Sequence, residues 1–184
     1  MACINGFPTG VYNRLRGVEQ DIVYCFELGA SPCKYGTKEI HVAVQYEGMT
    51  ARFRGGLYDH NYSGNYPGNL LAQTEVFTAV VTGVPYWFTL ALDNFVYVAQ
   101  GQRIWMALHL EYNGANDRVQ GVQYTQTAET PLTQWMGVYH SFDSGPKDPF
   151  GTPDAGGTIH AGYGYIKGYS NPTAIAVGHP VMVD

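Results

Sequence analysis

Three stretches of the chain place their larger apolar side chains at every second position, and that alternation limits what it can fold into. In IHVAVQY, Ile40, Val42, Val44 and Tyr46 share one face while His41, Ala43 and Gln45 share the other. In YWFTLAL, Tyr86, Phe88, Leu90 and Leu92 alternate with Trp87, Thr89 and Ala91; in RIWMALHL, Ile104, Met106, Leu108 and Leu110 alternate with Trp105, Ala107 and His109. A period of two is that of a strand, not of a helix. Gly, Pro and Asn also punctuate the chain too often for an amphipathic helix to run its length.

Further strands are expected over Ile22 to Leu28, Ala51 to Tyr58, Leu70 to Val81, Val119 to Thr125, Trp135 to Phe142, Tyr163 to Tyr169 and Ala174 to Val177. Many short strands between turn residues predict an all-β fold, an antiparallel β-sandwich or barrel. A chain of 184 residues suits one domain, residues 1–184, with a sizeable core and long loops; the longest expected loop is Asp143 to Gly157. No linker and no internal repeat divides it.

The stretch LYDHNYSGNYPGNLLAQTEVF, Leu57 to Phe77, has apolar flanks and a tip of Asn, Tyr, Gly and Pro. Pro67, Gly64, Gly68 and the asparagines make SGNYPGN good turn material. Asp59 and Asn61 are read as turn-formers that hydrogen-bond local backbone. The pieces FELG, RGGLYDHNYSGNYPGNLLAQT, PYWFTLAL and VAQGQRIWMAL follow one another in an order that resembles the jelly-roll, carbohydrate-binding-like β-sandwich modules of secreted bacterial proteins and phage surface proteins. The resemblance spans about Val18 to Leu110 and implies glycan binding or surface display, without contact residues to carry over.

The aromatic content, 15 Tyr, 8 Phe and 3 Trp, is the main chemical signal. Tyr58, Tyr62 and Tyr66 surround the hairpin tip and are candidate sugar contacts, each ring offering a flat apolar face and a hydroxyl. Trp87 and Trp105 lie opposite the larger apolar sets of their strands. Each is therefore either a platform on an outer sheet face or part of a face covered within the domain.

Metal chemistry has two candidate settings. The histidines His41, His60, His109, His140, His160 and His179 occur singly, without zinc-site spacing, although His41 and His109 sit on strand faces that a sheet can bring together. Asp143, Asp148 and Asp154 share one Gly-rich segment and are candidate calcium ligands, with a solvated loop as the alternative. No other cofactor is implied. Of the three cysteines, Cys25 reads as a small buried residue in IVYCFEL, with a Cys25 to Cys33 bridge left open; the odd count leaves at least one thiol unpaired within the chain.

Enzyme signatures are missing: no GxSxG elbow, no P-loop, and GYGYIKG from Gly162 to Gly168 lacks dinucleotide-fingerprint spacing. Glu27, Glu47, Glu75, Asp93 and Glu111 are widely separated, so nothing pairs two carboxylates for glycoside hydrolysis. With 15 acids against 10 bases the formal charge is −5, and the bases are scattered along the chain, which argues against a nucleic-acid partner. The N-terminus lacks a secretory pattern and no apolar run is long enough for a membrane helix.

These features point to a non-catalytic structural and binding protein on an extracellular surface or virion, such as a virion decoration or fibre or an extracellular filament subunit. Its expected partners are copies of itself, other surface or virion proteins, and glycans, with no membrane insertion. The alternative is a stand-alone, lectin-like adhesion module; a glycoside hydrolase is less favoured.

Overall fold

A computed structural model of the chain describes residues 2–6, 12–16, 20–47, 52–78, 86–112, 118–124, 132–160 and 164–169. The expected strand Ala174 to Val177 and His179 lie outside them. Among the described residues thirteen strands occur: β1 (Ala2–Gly6), β2 (Tyr12–Arg16), β3 (Ile22–Ala30), β4 (Tyr35–Glu47), β5 (Arg52–Asn61), β6 (Tyr66–Gln73), β7 (Phe77–Thr78), β8 (Tyr86–Val98), β9 (Arg103–Leu110), β10 (Arg118–Tyr124), β11 (Leu132–Tyr139), β12 (Ala155–His160) and β13 (Gly164–Tyr169). The one helical element among the described residues is a 3-10 turn, Phe142–Ser144.

The strands form two antiparallel sheets packed face to face, the sandwich that the alternation predicts. The first runs β1-β13-β4-β10-β2, with β8 on the other side of β4; the second runs β12-β11-β3-β9-β5-β6, with β7 also against β5. Along one side the sheets are tied together: Thr74 bridges Leu92, and the Gln73 amide donates to Asp93 Oδ1 at 3.0 Å.

Between the sheets lie the residues that alternation assigns inward. Ile40, Val42 and Val44 of β4, Leu90 and Leu92 of β8, and Ile104, Met106, Leu108 and Leu110 of β9 join Tyr24, Phe26, Phe53 and Leu57 in one buried cluster. At roughly 1.5–3 kcal/mol per buried large apolar side chain, this layer is the dominant stabilising contribution.

A second, smaller core sits on the opposite face of the second sheet: Val23, Cys25, Tyr58, Trp105, Ala107, Val138 and Phe150. The segment after β11 roofs it. Tyr58 Oη donates to the Lys147 carbonyl at 2.7 Å, Arg54 Nη2 to the Phe142 carbonyl at 2.8 Å, and the Phe150 amide to the Gly68 carbonyl at 2.9 Å. The predicted long loop is thus a strap from residue 142 to 154, and its expected last residues begin β12.

The cysteines pair differently from the bridge left open above. Cys3 is bonded to Cys33, with Cα atoms 6.3 Å apart, and Cys25 is a buried free thiol whose pKa burial raises well above its ordinary value. Strand parity is the reason. Tyr24 and Phe26 point into the main core, so Cys25 points under the strap, whereas Cys3 and Cys33 belong to the main core's end.

Candidate functional site

The hairpin of β5 and β6 forms the wall of an open cleft of about 460 Å³, lined by residues 59–63 and 66–69 together with Pro149 and Gly151 of the strap. The turn is shorter than SGNYPGN implies. It occupies residues 62–65, with Asn65 in the left-handed region at φ 55°, and Tyr66, Pro67, Gly68 and Asn69 already belong to β6. Among the described residues β6 is an outer strand, paired with β5, and a proline is tolerated on such an edge.

Local polar side chains fix this tip. Asn61 Oδ1 accepts from the Ser63 and Gly64 amides at 3.0 and 3.2 Å. Asp59 accepts from the Asn69 amide at 2.6 Å and from Asn69 Nδ2 at 3.2 Å. A Cβ on residue 68 would collide with Asp59 Oδ1, so glycine is needed for the carboxylate to reach over β6. Asp59 and Asn61 therefore act on local backbone, as the turn reading expects.

The cleft's aromatic ring is Tyr62, 70% exposed, with Tyr66 half-buried beside it. Tyr62 meets the His60 ring edge-on at 4.7 Å. His60 is nearly buried, and behind it Trp105 Nε1 donates to His60 Nδ1 at 2.9 Å while Arg103 Nη1 lies 2.9 Å from Nε2. Indole and guanidinium can only donate, and a neutral imidazole accepts at one nitrogen, so these two contacts compete for His60 and both are lost on protonation. Burial, then the Arg103 charge, lowers the His60 pKa accordingly.

Arg103 is held in turn by both Glu27 oxygens, the Nη2 bond being 2.8 Å, and its Nη1 donates to Asn65 Oδ1 at 3.0 Å. The chain Glu27, Arg103, His60 and Trp105 thus fastens the hairpin tip to β3 and β9. It was not legible beforehand, because its members lie 27 to 105 residues along the chain with no motif between them.

The other predicted contacts fall elsewhere. Tyr58 and Trp105 are 0% exposed and form the second core, because the strap covers the face on which strand parity places them; neither presents a ring to solvent. Trp87 is half-buried on the first sheet, in register with Ala43 and edge-on to Tyr165 at 5.4 Å. The five aromatic candidates therefore do not form one site: Tyr62 and Tyr66 share the cleft.

Asp143, Asp148 and Asp154 are likewise separated in role. Asp143 accepts from Arg52 Nη2 at 3.0 Å, Asp148 from the Leu70 amide at 2.9 Å and Asp154 from the Tyr139 amide at 2.8 Å. His41 and His109 are on different sheets. His41 lies 3.2 Å from Glu39 Oε1 and 3.0 Å from Thr89 Oγ1, and His109 lies 3.1 Å from the His140 carbonyl. Among the described residues no group of three or more His, Cys, Asp or Glu is arranged to hold a metal ion.

No protein-family model matches the chain, and no curated protein matches it.

Proposed function

We propose that this is a non-catalytic structural and binding protein displayed on an extracellular surface or virion, and that its hairpin cleft holds a glycan. The observation that carries the reading is the exposed Tyr62 ring over an open cleft whose amides and carboxylate, Asn61, Asn69 and Asp59, are already fixed by hydrogen bonds within the hairpin. A sugar uses such a site by laying an apolar face on the ring and giving its hydroxyls to preset polar groups. Among the described residues Asp59 is the only carboxylate in the cleft lining, which favours binding over a hydrolysis needing two.

Two further features support surface display. A disulfide joining strand β1 to the β3–β4 turn suits an oxidising compartment. Among the described residues strand β12 is bonded on one side only, to β11, an open edge of the kind that subunits in an assembly can cover.

A glycan array probed with a multivalent preparation tests the cleft. Tyr62→Ala is expected to weaken the bound glycan roughly tenfold, as loss of an aromatic stack and its hydrogen bond would. Silence of the multivalent protein across the array rejects glycan binding. Electron microscopy of the native source tests the structural half, and a chain that is monomeric there leaves the stand-alone adhesion module as the reading.

A further inference from the structure

The outer face of the first sheet carries a second surface, apart from the cleft. One register row crosses it: Ala2 of β1 pairs with Tyr169 of β13, Tyr169 with Gly36 of β4, and Gly36 with Tyr97 of β8. Tyr97 is 65% and Tyr169 41% exposed, and Ile4, two residues from Ala2 on the same face, is 47% exposed. Gly36 supplies no side chain between the two tyrosines. The Phe95 ring fills that place, lying where a Cβ on residue 36 would point, and it packs against Tyr97 with centroids 4.6 Å apart. Three rings thus line up across two strand spacings, a span of ~10 Å.

Around this row three lysines stand against two carboxylates, Glu39 and Asp93. The protein has four lysines, and three of them, Lys34, Lys38 and Lys167, are exposed on or beside these strands. Lys167 is in register with Ile4, Lys38 lies at the register shift between Thr37 and Glu39, and Lys34 alternates with Gly36. None of the three makes an ion pair among the described residues, whereas Arg52 and Arg103 of the second sheet both do. The neighbouring acids have partners: Glu39 faces His41 at 3.2 Å and Asp93 accepts the Gln73 amide.

We propose that this face binds an acidic polysaccharide, with Tyr97, Phe95 and Tyr169 stacking on successive sugars and Lys38 and Lys167 meeting carboxylates or sulfates. Rings about a strand spacing apart, with Phe95 and Tyr97 inclined by 56°, can meet successive faces of a twisted sugar chain, and the unpaired lysines select an anionic one. A protein partner would need more buried apolar area than three rings and Ile4 provide.

Affinity electrophoresis of the intact chain through gels containing polygalacturonate, with uncharged dextran as control, tests this. The expected result is retardation by polygalacturonate alone, weakening as salt is raised. The double variant Lys38→Ala, Lys167→Ala should lose roughly five- to tenfold in affinity, and Tyr97→Ala roughly fivefold. All three side chains are exposed, so unfolding temperatures should stay near that of the parent. Tyr62→Ala, in the cleft, should leave retardation unchanged whether or not the cleft binds glycan. Absence of retardation, or retardation indifferent to the lysines, overturns the proposal. Equal retardation by duplex DNA, insensitive to Tyr97→Ala, overturns the sugar assignment and leaves only a basic patch.

Discussion

Trp105 and Tyr97 both point away from the main core, on the outer faces of opposite sheets, yet one is wholly buried and the other is 65% exposed. The strap between residues 142 and 154 makes the difference. It lays Phe150 against Tyr58, edge-on at 5.6 Å, and closes a second core over Trp105, while the row at Tyr97, Gly36 and Tyr169 stays open. The role of an outward aromatic residue is therefore set by a segment that covers it from far along the chain, not by its own strand.

Truncating the two rings breaks or sharpens this comparison most directly. Trp105→Ala should destabilise the protein by about 4–5 kcal/mol, since it leaves a cavity in the second core and strips His60 of its indole donor. Tyr97→Ala should cost under about 0.5 kcal/mol, as exposed substitutions do. Urea unfolding of both variants reads the difference, and comparable losses would mean that the open face is packed after all.

The next effect concerns how each sheet is held. The second sheet's outer side is secured by the strap's hydrogen bonds, the first sheet's end by the Cys3–Cys33 bond, which closes a loop across 30 positions. Replacing both cysteines with alanine should cost about 3–4 kcal/mol, the chain entropy regained by the unfolded state. Amide exchange should show where this falls: protection is lost first in β1 and β13, beside the bridge, while β9 and β5 keep theirs. Uniform loss across both sheets would deny the division of labour.

Much of the sandwich was readable from sequence, because each strand's alternation reports directly on which residues face the partner sheet. Ile40, Val42, Val44, Leu90 and Leu108 lie where alternation puts them. What alternation cannot report is what covers the other face, and this misplaced Tyr58 and Trp105 as candidate sugar contacts. Pairing of the cysteines escaped for a related reason, since only strand parity plus the path of β1 brings Cys3 to Cys33. The lysines show the reverse case. Scattered along the chain as Lys34, Lys38 and Lys167, they meet only because β4 and β13 are neighbours in one sheet. Within the hairpin, Asp59 and Asn61 were legible because their bonds are local; the Glu27, Arg103 and His60 chain was not, because its contacts are long-range.

The smallest effect is electrostatic and again confined to the roofed face. His109 lies under Phe142, ring centroids 4.9 Å apart, with Arg54 opposite it in register; its Nδ1 has no partner among the described residues. Arg54, His140 and Asp21 are the charged or titratable groups around it. Burial above all lowers its pKa to about 4, from about 6.5 in the unfolded chain. Because the unfolded state takes up the proton first, His109 leaves stability unchanged above pH ~6.5 and subtracts about 3 kcal/mol as pH falls from ~6.5 to ~4. His109→Gln keeps a donor for the His140 carbonyl without the titration, so its stability should fall less over that interval than the parent's. Denaturant unfolding of both proteins across the range measures the gap. Parallel curves would mean that acid reaches His109 without lifting the strap, and the second core would then be looser than its packing implies.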